Sequence, residues 1–268
     1  MSVPAVAPRP KRTPWEIQRA VLFALLQREL KARFGGRWLG AFWVLFEPVA
    51  HLSYLMVLFG VVRDRVIPGV PFVMFLLTGL IPFFMFRSVS LRVMGSVDGS
   101  RGLFGFRQVK PIDVILARAS LDVLLYSVVF AVFLAAFGWT GIKWYPDNPL
   151  EVMATGTVLI ALGLGLGILF VVLTDDFPQV RVFIRISYLP LYLISGVIFP
   201  LSAMPPEVVD WLLWNPVLHL MECIRGAFFN EYQPIQEASL AYPAALALVV
   251  LAGAMALYRL RRNRLLAT

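Results

Sequence analysis

The chain has 268 residues, of which 59% are hydrophobic and only 15% are charged, and its mean hydropathy is +0.78. An ordinary soluble domain has roughly 45–50% apolar and about 25% charged residues, so too few charges remain here to coat a soluble globule. This composition excludes a soluble enzyme, a disordered chain and a nucleic-acid-binding domain as first interpretations, and it predicts an all-α polytopic membrane protein. The single cysteine, Cys223, excludes a disulfide framework within one chain.

The N-terminal segment predicts a tail followed by a helix at the membrane surface. Residues 1–12 are rich in Pro and Ala, and we interpret them as a flexible tail. The sequence Thr13-Pro14-Trp15-Glu16 is typical of a helix start, with an N-cap, a proline in the first turn and a capping box. Apolar residues then recur every four positions, at Leu22, Leu26, Leu30 and Phe34. We therefore expect an interfacial amphipathic helix over 13–36, either as a membrane anchor alone or as a docking surface for a cytoplasmic partner.

Six apolar runs are long enough to cross a membrane, since a hydrocarbon core requires about 20 helical residues. They lie near residues 38–62, 66–86, 119–142, 152–174, 186–206 and 238–258. A six-span topology places 20 of the 24 Lys and Arg residues on the side of the termini. The positive-inside rule then predicts that both termini are cytoplasmic. Because topology accounts for the basic residues, we expect no nucleic-acid partner.

The predicted loops are too short to contain an enzyme. The cytoplasmic segment 87–118 and the external segment 207–237 both fall below the about 50 residues of the smallest independent domains. The sequence contains no GxxxxGK[ST] phosphate loop, and Gly163, Gly165 and Gly167 lie inside an apolar span, where small residues favour close helix packing. We therefore predict that the chain is not an enzyme by itself and has no catalytic residues.

The external segment predicts short re-entrant or surface helices before the last span. Asn215 followed by Pro216 is typical of a helix N-terminus. His219, Glu222 and Arg225 follow at a spacing of three and form a polar stripe, an external helix network that we interpret as structural. His219 and Glu222 share a helical face, but a zinc site needs a third ligand, so we predict no metal site.

Glu47 is an ionisable residue inside the first span, a position that often marks function. It either pairs with a basic residue on a neighbouring helix, lines a pore or acts as a proton site. Aromatic residues with polar tips can pack on the C–H faces of sugar rings and bind their hydroxyls. With Glu47, the candidates for lining a sugar path are Trp43, Tyr54, Tyr188 and Tyr192, although each one also fits lipid-facing or core packing.

Five short motifs occur in order along the chain. They are residues 28–34 (RELKARF), 39–43 (LGAFW), 108–113 (QVKPID), 195–200 (SGVIFP) and 215–219 (NPVLH). Together with the order of the predicted elements, these motifs resemble the type 2 ABC exporters, and specifically the capsular-polysaccharide export permease family. The resemblance extends from about residue 15 to residue 258.

The resemblance implies a permease subunit that moves a lipid-linked capsular polysaccharide across the bacterial inner membrane. It implies a homodimer that binds two copies of a separate ATPase subunit, which hold the ATP and Mg²⁺, so that this chain carries no cofactor. Membrane lipid and periplasmic or outer-membrane export proteins are the other partners it implies. The residues that the resemblance assigns to ATPase coupling are Arg28, Lys31, Arg107, Lys110, Pro111, Asp113, Asp175 and Asp176. The family often carries an Arg-Asp pair where this chain has Asp175-Asp176.

Two other function classes remain as alternatives. An ion-coupled secondary transporter would show inverted repeats and polar sites near the membrane midplane, and the sequence shows no internal repeat. A membrane-embedded glycosyltransferase or acyltransferase would need a convergent catalytic set, which the sequence does not indicate.

Overall fold

The computed structural model of the protein describes residues 13–34, 39–63, 69–106 and 108–267, without the side chains of 39–45, 60–63 and 266–267. The predicted tail over 1–12 lies outside the described residues. Within those ranges the chain forms helices and no strand. The α-helices are α1 Pro14–Phe34, α2 Leu39–Arg63, α3 Phe72–Met94, α4 Pro111–Trp139, α5 Pro149–Asp176, α6 Val180–Ile194, α7 Pro206–Leu212, α8 Pro216–Phe228 and α9 Ala241–Ala267. Two short 3-10 helices, Asp98–Leu103 and Leu201–Ala203, follow α3 and α6.

The capping box predicted at the start of α1 is confirmed. The amide of Thr13 donates to Glu16 Oε2 at 2.8 Å, and the amide of Glu16 donates to Thr13 Oγ1 at 3.3 Å. The predicted apolar stripe of α1 faces the rest of the protein only in part, because Leu26 packs against a buried apolar cluster whereas Leu30 is exposed. The face that packs against α4 instead carries Leu25 and Glu29, which are both buried.

The centre of the molecule is α3, which packs against α5, α4 and α8. Its side chains form a nearly unbroken apolar run, and most of them are fully buried. The glycines of α5 allow close approach: a Cβ at Gly167 would lie 2.7 Å from Val93 Cβ of α3, and a Cβ at Gly165 would lie 3.0 Å from the backbone of Leu251 in α9. The small residues of this span therefore serve helix packing within the chain, as the sequence indicates.

Within the described residues, four helices are long and apolar enough to cross a membrane, namely α3, α4, α5 and α9. The described apolar part of α2, Phe46–Phe59, is shorter. These helices make the chain an all-α polytopic membrane protein.

The prediction of one helix over 186–206 was wrong. α6 runs from Val180 to Ile194, and its 15 residues span about 22 Å at 1.5 Å per residue, less than the about 30 Å of a hydrocarbon core. The chain leaves the helix at Gly196, which has a φ of +68°, and Pro200 is extended. A run of uncharged residues does not reveal this break, because it reports polarity and not backbone conformation.

The segment predicted as a loop over 87–118 is mostly helical. α3 continues past Arg87 to Met94, and α4 already begins at Pro111, so the connection is limited to residues 95–110. Each of these two helices therefore continues beyond its apolar part into a stretch that contains charged residues. The segment predicted as external helices over 207–237 contains α7 and α8, and the amide of Val217 donates to the Asn215 side chain at 3.0 Å, which confirms the predicted N-cap of α8.

Candidate functional site: an aromatic cavity and a charged helix junction

A cavity of about 180 Å³ lies between α2, α3 and α6. It brings together three of the predicted path residues, Glu47, Tyr188 and Tyr192. The rest of its lining consists of His51, Phe83, Phe84, Arg87, Arg185 and Leu189. Tyr54 is 60% exposed and lies on an adjoining groove that also includes Glu47 and His51. The side chain of Trp43 lies outside the described residues, so its predicted role stays a prediction.

The two buried tyrosines fix the wall of this cavity. The hydroxyl of Tyr192 lies 2.8 Å from His51 Nε2 and joins α6 to α2, while the hydroxyl of Tyr188 hydrogen-bonds to Ser90 Oγ of α3. The ring of Tyr192 also packs against Phe83, with 5.2 Å between centroids. These contacts form a rigid aromatic surface, and rings of this kind can support the apolar face of a ligand.

Charged groups surround the opening of the cavity. Glu47 Oε1 lies 3.8 Å from Arg87 Nη1, and both side chains are about half exposed. Arg185, from α6, is also exposed and adds a second guanidinium. A carboxylate, two guanidinium groups and an imidazole beside aromatic rings can bind a hydroxyl-rich or anionic ligand.

Sequence reasoning did not assign His51, Arg87 or Arg185 to this cavity. The available signal was position: Arg87 directly follows the apolar run of α3, and Arg185 directly precedes that of the predicted span at 186–206. The arginines were counted only as markers of membrane topology. Their meeting in one cavity could not be predicted, because α2, α3 and α6 are distant in sequence.

The candidate coupling residues at the start of α4 form a compact joint. Asp113 is buried, and its carboxylate accepts hydrogen bonds from the Lys110 amide at 2.9 Å and from Gln18 Nε2 of α1 at 2.6 Å. Pro111 occupies the first turn and is buried. The next amide, of Ile112, donates to Tyr258 Oη of α9 at 3.2 Å. This joint therefore connects α1, α4 and α9, while Lys110 itself is exposed and Arg107 lies outside the described residues.

Arg28 connects α1 to the 3-10 helix Asp98–Leu103. Its guanidinium donates to Ser100 Oγ at 3.1 Å and to the Gly99 carbonyl at 3.0 Å. Lys31 lies in the last turn of α1 and is exposed. Arg28 thus contacts the connection that leads from α3 to the Lys110–Asp113 joint.

Asp98, at the start of that 3-10 helix, is held by two arginines. It accepts from Arg101 at 2.9 Å and also from Arg181 at the start of α6. Partial burial acts to raise the pKa of the Asp98 carboxyl, but the hydrogen bonds from Arg101 and Arg181 outweigh it and place the pKa below its ordinary value. The ionised carboxylate thereby ties the connection between α3 and α4 to α6.

Asp175 and Asp176 fasten the end of α5 to the end of α9. Asp176 Oδ1 lies 3.0 Å from Arg261 and 2.7 Å from Arg264, and Asp175 lies 3.9 Å from Arg264 and 4.0 Å from Arg101. Both carboxylates therefore engage residues of this chain.

The external helix network divides into two parts. Arg225 is fully buried and donates to the carbonyls of Gly196 at 2.7 Å and Val197 at 3.0 Å, with its guanidinium carbon 3.6 Å from the centre of the Phe75 ring. Glu222 accepts from Tyr232 Oη at 2.8 Å and lies 3.5 Å from Arg225. Through Arg225, this pair therefore supplies hydrogen-bond donors to the backbone at the break after α6.

His219 faces a different group of residues. Its Nδ1 accepts from the Ser239 amide at 3.2 Å, so Nε2 carries the proton and donates to the Leu213 carbonyl at 2.8 Å. Among the described residues, no three His, Cys, Asp or Glu side chains come together as a possible metal site.

Four charges between α1 and α4 were not assigned by sequence reasoning; Glu29 and Asp122 are buried, and Arg33 and Arg118 are partly buried. Glu29 pairs with Arg118 at 2.9 Å, and Arg33 pairs with Asp122, which also lies 3.1 Å from Arg92 of α3. The available signal was that Glu29 and Arg33 are four residues apart, as are Arg118 and Asp122, so each pair lies on one helix face.

Known proteins resemble this chain along most of its length. The ABC-2 type transporter family matches residues 20–229, from within α1 to beyond the end of α8. The polysialic acid transport protein KpsM of Escherichia coli is 41% identical over 256 residues, which cover 95% of this chain and 98% of that protein. The capsule polysaccharide export inner-membrane protein CtrC of Neisseria meningitidis is 27% identical over 228 residues, covering 82% and 84% of the two chains.

A third relative, the O-antigen export system permease protein RfbA of Myxococcus xanthus, is 27% identical over 253 residues, covering 91% of this chain and 94% of that protein. The matched regions include the cavity and the charged joint at the start of α4. These similarities confirm the resemblance drawn from the five sequence motifs, and the chain belongs to the ABC-2 type transporter family.

Proposed function

We propose that this chain is the transmembrane permease subunit of an ATP-driven exporter that moves a lipid-linked capsular polysaccharide across the bacterial inner membrane. The observation that carries this proposal is the similarity to KpsM over 95% of the chain, because that relative is a polysialic acid transport protein. The names of CtrC and RfbA, a capsule polysaccharide export protein and an O-antigen export permease, support the same substrate class.

In this proposal the chain crosses the membrane six times, with both termini in the cytoplasm. α2, and α6 together with the non-helical segment that follows it, complete the set begun by α3, α4, α5 and α9. The arginines of α1, of the connection at 95–110 and of the end of α9 lie at one end of the molecule, which the positive-inside rule assigns to the cytoplasm.

The polysaccharide path would run along the cavity between α2, α3 and α6, at the interface of a homodimer. Exposed charges such as Glu47, Arg87 and Arg185 are costly against lipid, and a second copy would cover them. The neighbouring surface of α6 is apolar and exposed, with Phe183 at 72% and Leu189 at 66%, which suits a helix packed against another copy. The aromatic wall and the charged opening would then face a shared passage.

Energy would come from two copies of a separate ATPase subunit that bind ATP and Mg²⁺. The exposed Lys110 directly precedes the joint at the buried Asp113, and the exposed Lys31 lies in the last turn of α1, so a partner's closure at these residues can push on α4 and α1. Packed helices that have two discrete arrangements are the kind of element that carries such coupling. This chain would supply the passage, with periplasmic or outer-membrane proteins receiving the polymer.

The test is reconstitution of the chain with the ATPase encoded by a neighbouring reading frame, in lipid vesicles loaded with labelled polymer. We expect the two chains to co-purify and polymer movement to require ATP. The control is an ATPase whose phosphate-loop lysine is replaced by alanine, which should abolish movement. Polymer movement without any ATPase would overturn the proposal, and movement driven by an ion gradient alone would support a secondary transporter.

A further inference from the structure

The contact between α1 and α4 has a regular register. Glu29 pairs with Arg118 and Arg33 pairs with Asp122, and both pairs join residues 89 positions apart. At the same offset, Leu25 and Val114 lie in one buried apolar cluster. The two helices thus run parallel, with two ion pairs and, one turn before them at the same offset, two residues of a shared apolar cluster. We call these three residue pairs the α1–α4 ladder.

The polar rungs of the ladder have opposite polarity. In the first, α1 provides the carboxylate of Glu29, and in the second it provides the guanidinium of Arg33. A slip of α1 by one turn would place Arg33 opposite Arg118, or Glu29 opposite Asp122. Either slip puts like charges together and leaves a buried charge without its partner, which is strongly unfavourable. The alternation therefore specifies one register.

Additional bonds join the ladder to the connection between α3 and α4. Arg118 also donates to the Gly95 carbonyl at 3.1 Å, and Arg28 holds the 3-10 helix through Ser100 and Gly99. Gln18, nearer the start of α1, binds Asp113. The interfacial helix is thus attached to both ends of the connection and to α4.

We infer that α1, the connection at 95–110 and the first turns of α4 move as one rigid unit during transport, and that Glu29, Arg33, Arg118 and Asp122 are positioning residues for energy coupling. This inference rests on the proposed function. A force that the ATPase applies to α1 or to the connection then moves α4 as well, because α1 does not slide along α4. The helix is neither a membrane anchor alone nor a docking surface alone.

A cross-link across the apolar rung tests rigidity. Leu25→Cys with Val114→Cys, joined by a short thiol-reactive cross-linker in the reconstituted complex, should form a cross-link and leave the amount of polymer moved per ATP unchanged. The single variants, each with native Cys223, are the controls. A cross-link that stops transport would overturn the inference, because α1 would then have to slide on α4. Failure to cross-link would contradict the register itself.

A charge exchange tests the positioning role. Glu29→Arg and Arg118→Glu, each alone, should lower the polymer moved per ATP on the order of fivefold while ATP hydrolysis and complex assembly persist. The double variant should recover at least part of this ratio, since it restores an opposite pair. Arg19→Glu, an exposed charge change on the same helix, is the matched control and should keep the wild-type ratio.

An unchanged ratio in both single variants would overturn the positioning role. The proposed function is judged separately, by whether the wild-type complex needs ATP hydrolysis at all. If transport depends on ATP but both single variants move as much polymer per ATP as wild type, only the positioning role of the ladder is refuted. If a single variant fails to assemble, the cross-link experiment still decides the question.

Discussion

Replacing Arg225 should destabilise the protein more than almost any other single change. The guanidinium is fully buried, donates to two carbonyls of the break after α6 and pairs with Glu222. In Arg225→Met the new side chain is apolar and shorter, and it leaves a buried carboxylate without its cationic partner. Removing one member of a buried ion pair costs about 3–5 kcal/mol.

That free energy corresponds to a large thermal shift. At roughly 2–4 °C per kcal/mol for a chain of about this size, the unfolding midpoint of Arg225→Met should fall by about 6–20 °C. The assay is thermal unfolding of the detergent-purified protein, followed by the fraction that remains monodisperse in size-exclusion chromatography. Because unfolding of membrane proteins is often irreversible, wild type and variant are heated at the same rate.

A double variant separates charge from packing. Arg225→Met combined with Glu222→Gln leaves no uncompensated charge, so it should lose less stability than Arg225→Met alone. The matched control is Glu207→Gln on α7, whose carboxylate is exposed, and it should behave as wild type. The reasoning would be refuted if Arg225→Met shifted the midpoint by less than about 2 °C, the least expected for 1 kcal/mol, or if adding Glu222→Gln lowered it further.

Three other outcomes follow from the geometry. Asp113→Ala should lower stability by about 0.5–2 kcal/mol, since it removes the bond to the Lys110 amide. It should also lower the amount of polymer moved per ATP, and a variant that moves as much polymer per ATP as wild type in the vesicle assay would contradict this. The Asp98 carboxylate stabilises the fold fully above its ordinary pKa of 3.8, and this contribution is lost as the pH falls through its lower folded pKa. Asp98→Asn should therefore flatten acid-induced unfolding measured by circular dichroism. Gly167→Ala should cost about 1–3 kcal/mol, because its Cβ would overlap Val93, whereas Gly156→Ala, which meets open space, should be neutral or stabilising in thermal unfolding.

The features that sequence reasoning predicted are local or compositional. Apolar runs indicate membrane helices because lipid requires them, and the Thr13–Glu16 capping box is confirmed because its bonds join residues three positions apart. The N-cap of α8 at Asn215 is confirmed for the same reason. Family membership also follows from short contiguous motifs.

The features that it missed depend on distant contacts. The end of α6 at Ile194 is set by backbone conformation at Gly196 and not by polarity. The partner of Glu29 lies 89 residues away, and the four-residue spacings of Glu29 with Arg33 and of Arg118 with Asp122 indicate charged helix faces but not which faces meet. Basic residues counted only for topology, such as Arg118, are partly buried partners of carboxylates.

The break after α6 has a consequence for biogenesis. The carbonyls of Gly196 and Val197 receive their donors from Arg225, which is synthesised 29 residues after Gly196. Until the ribosome has produced α8, those carbonyls depend on water or on the translocon. The short helix α6 must therefore remain near the aqueous boundary during translation, and the segment after it reaches its final depth only once α8 has folded beside it.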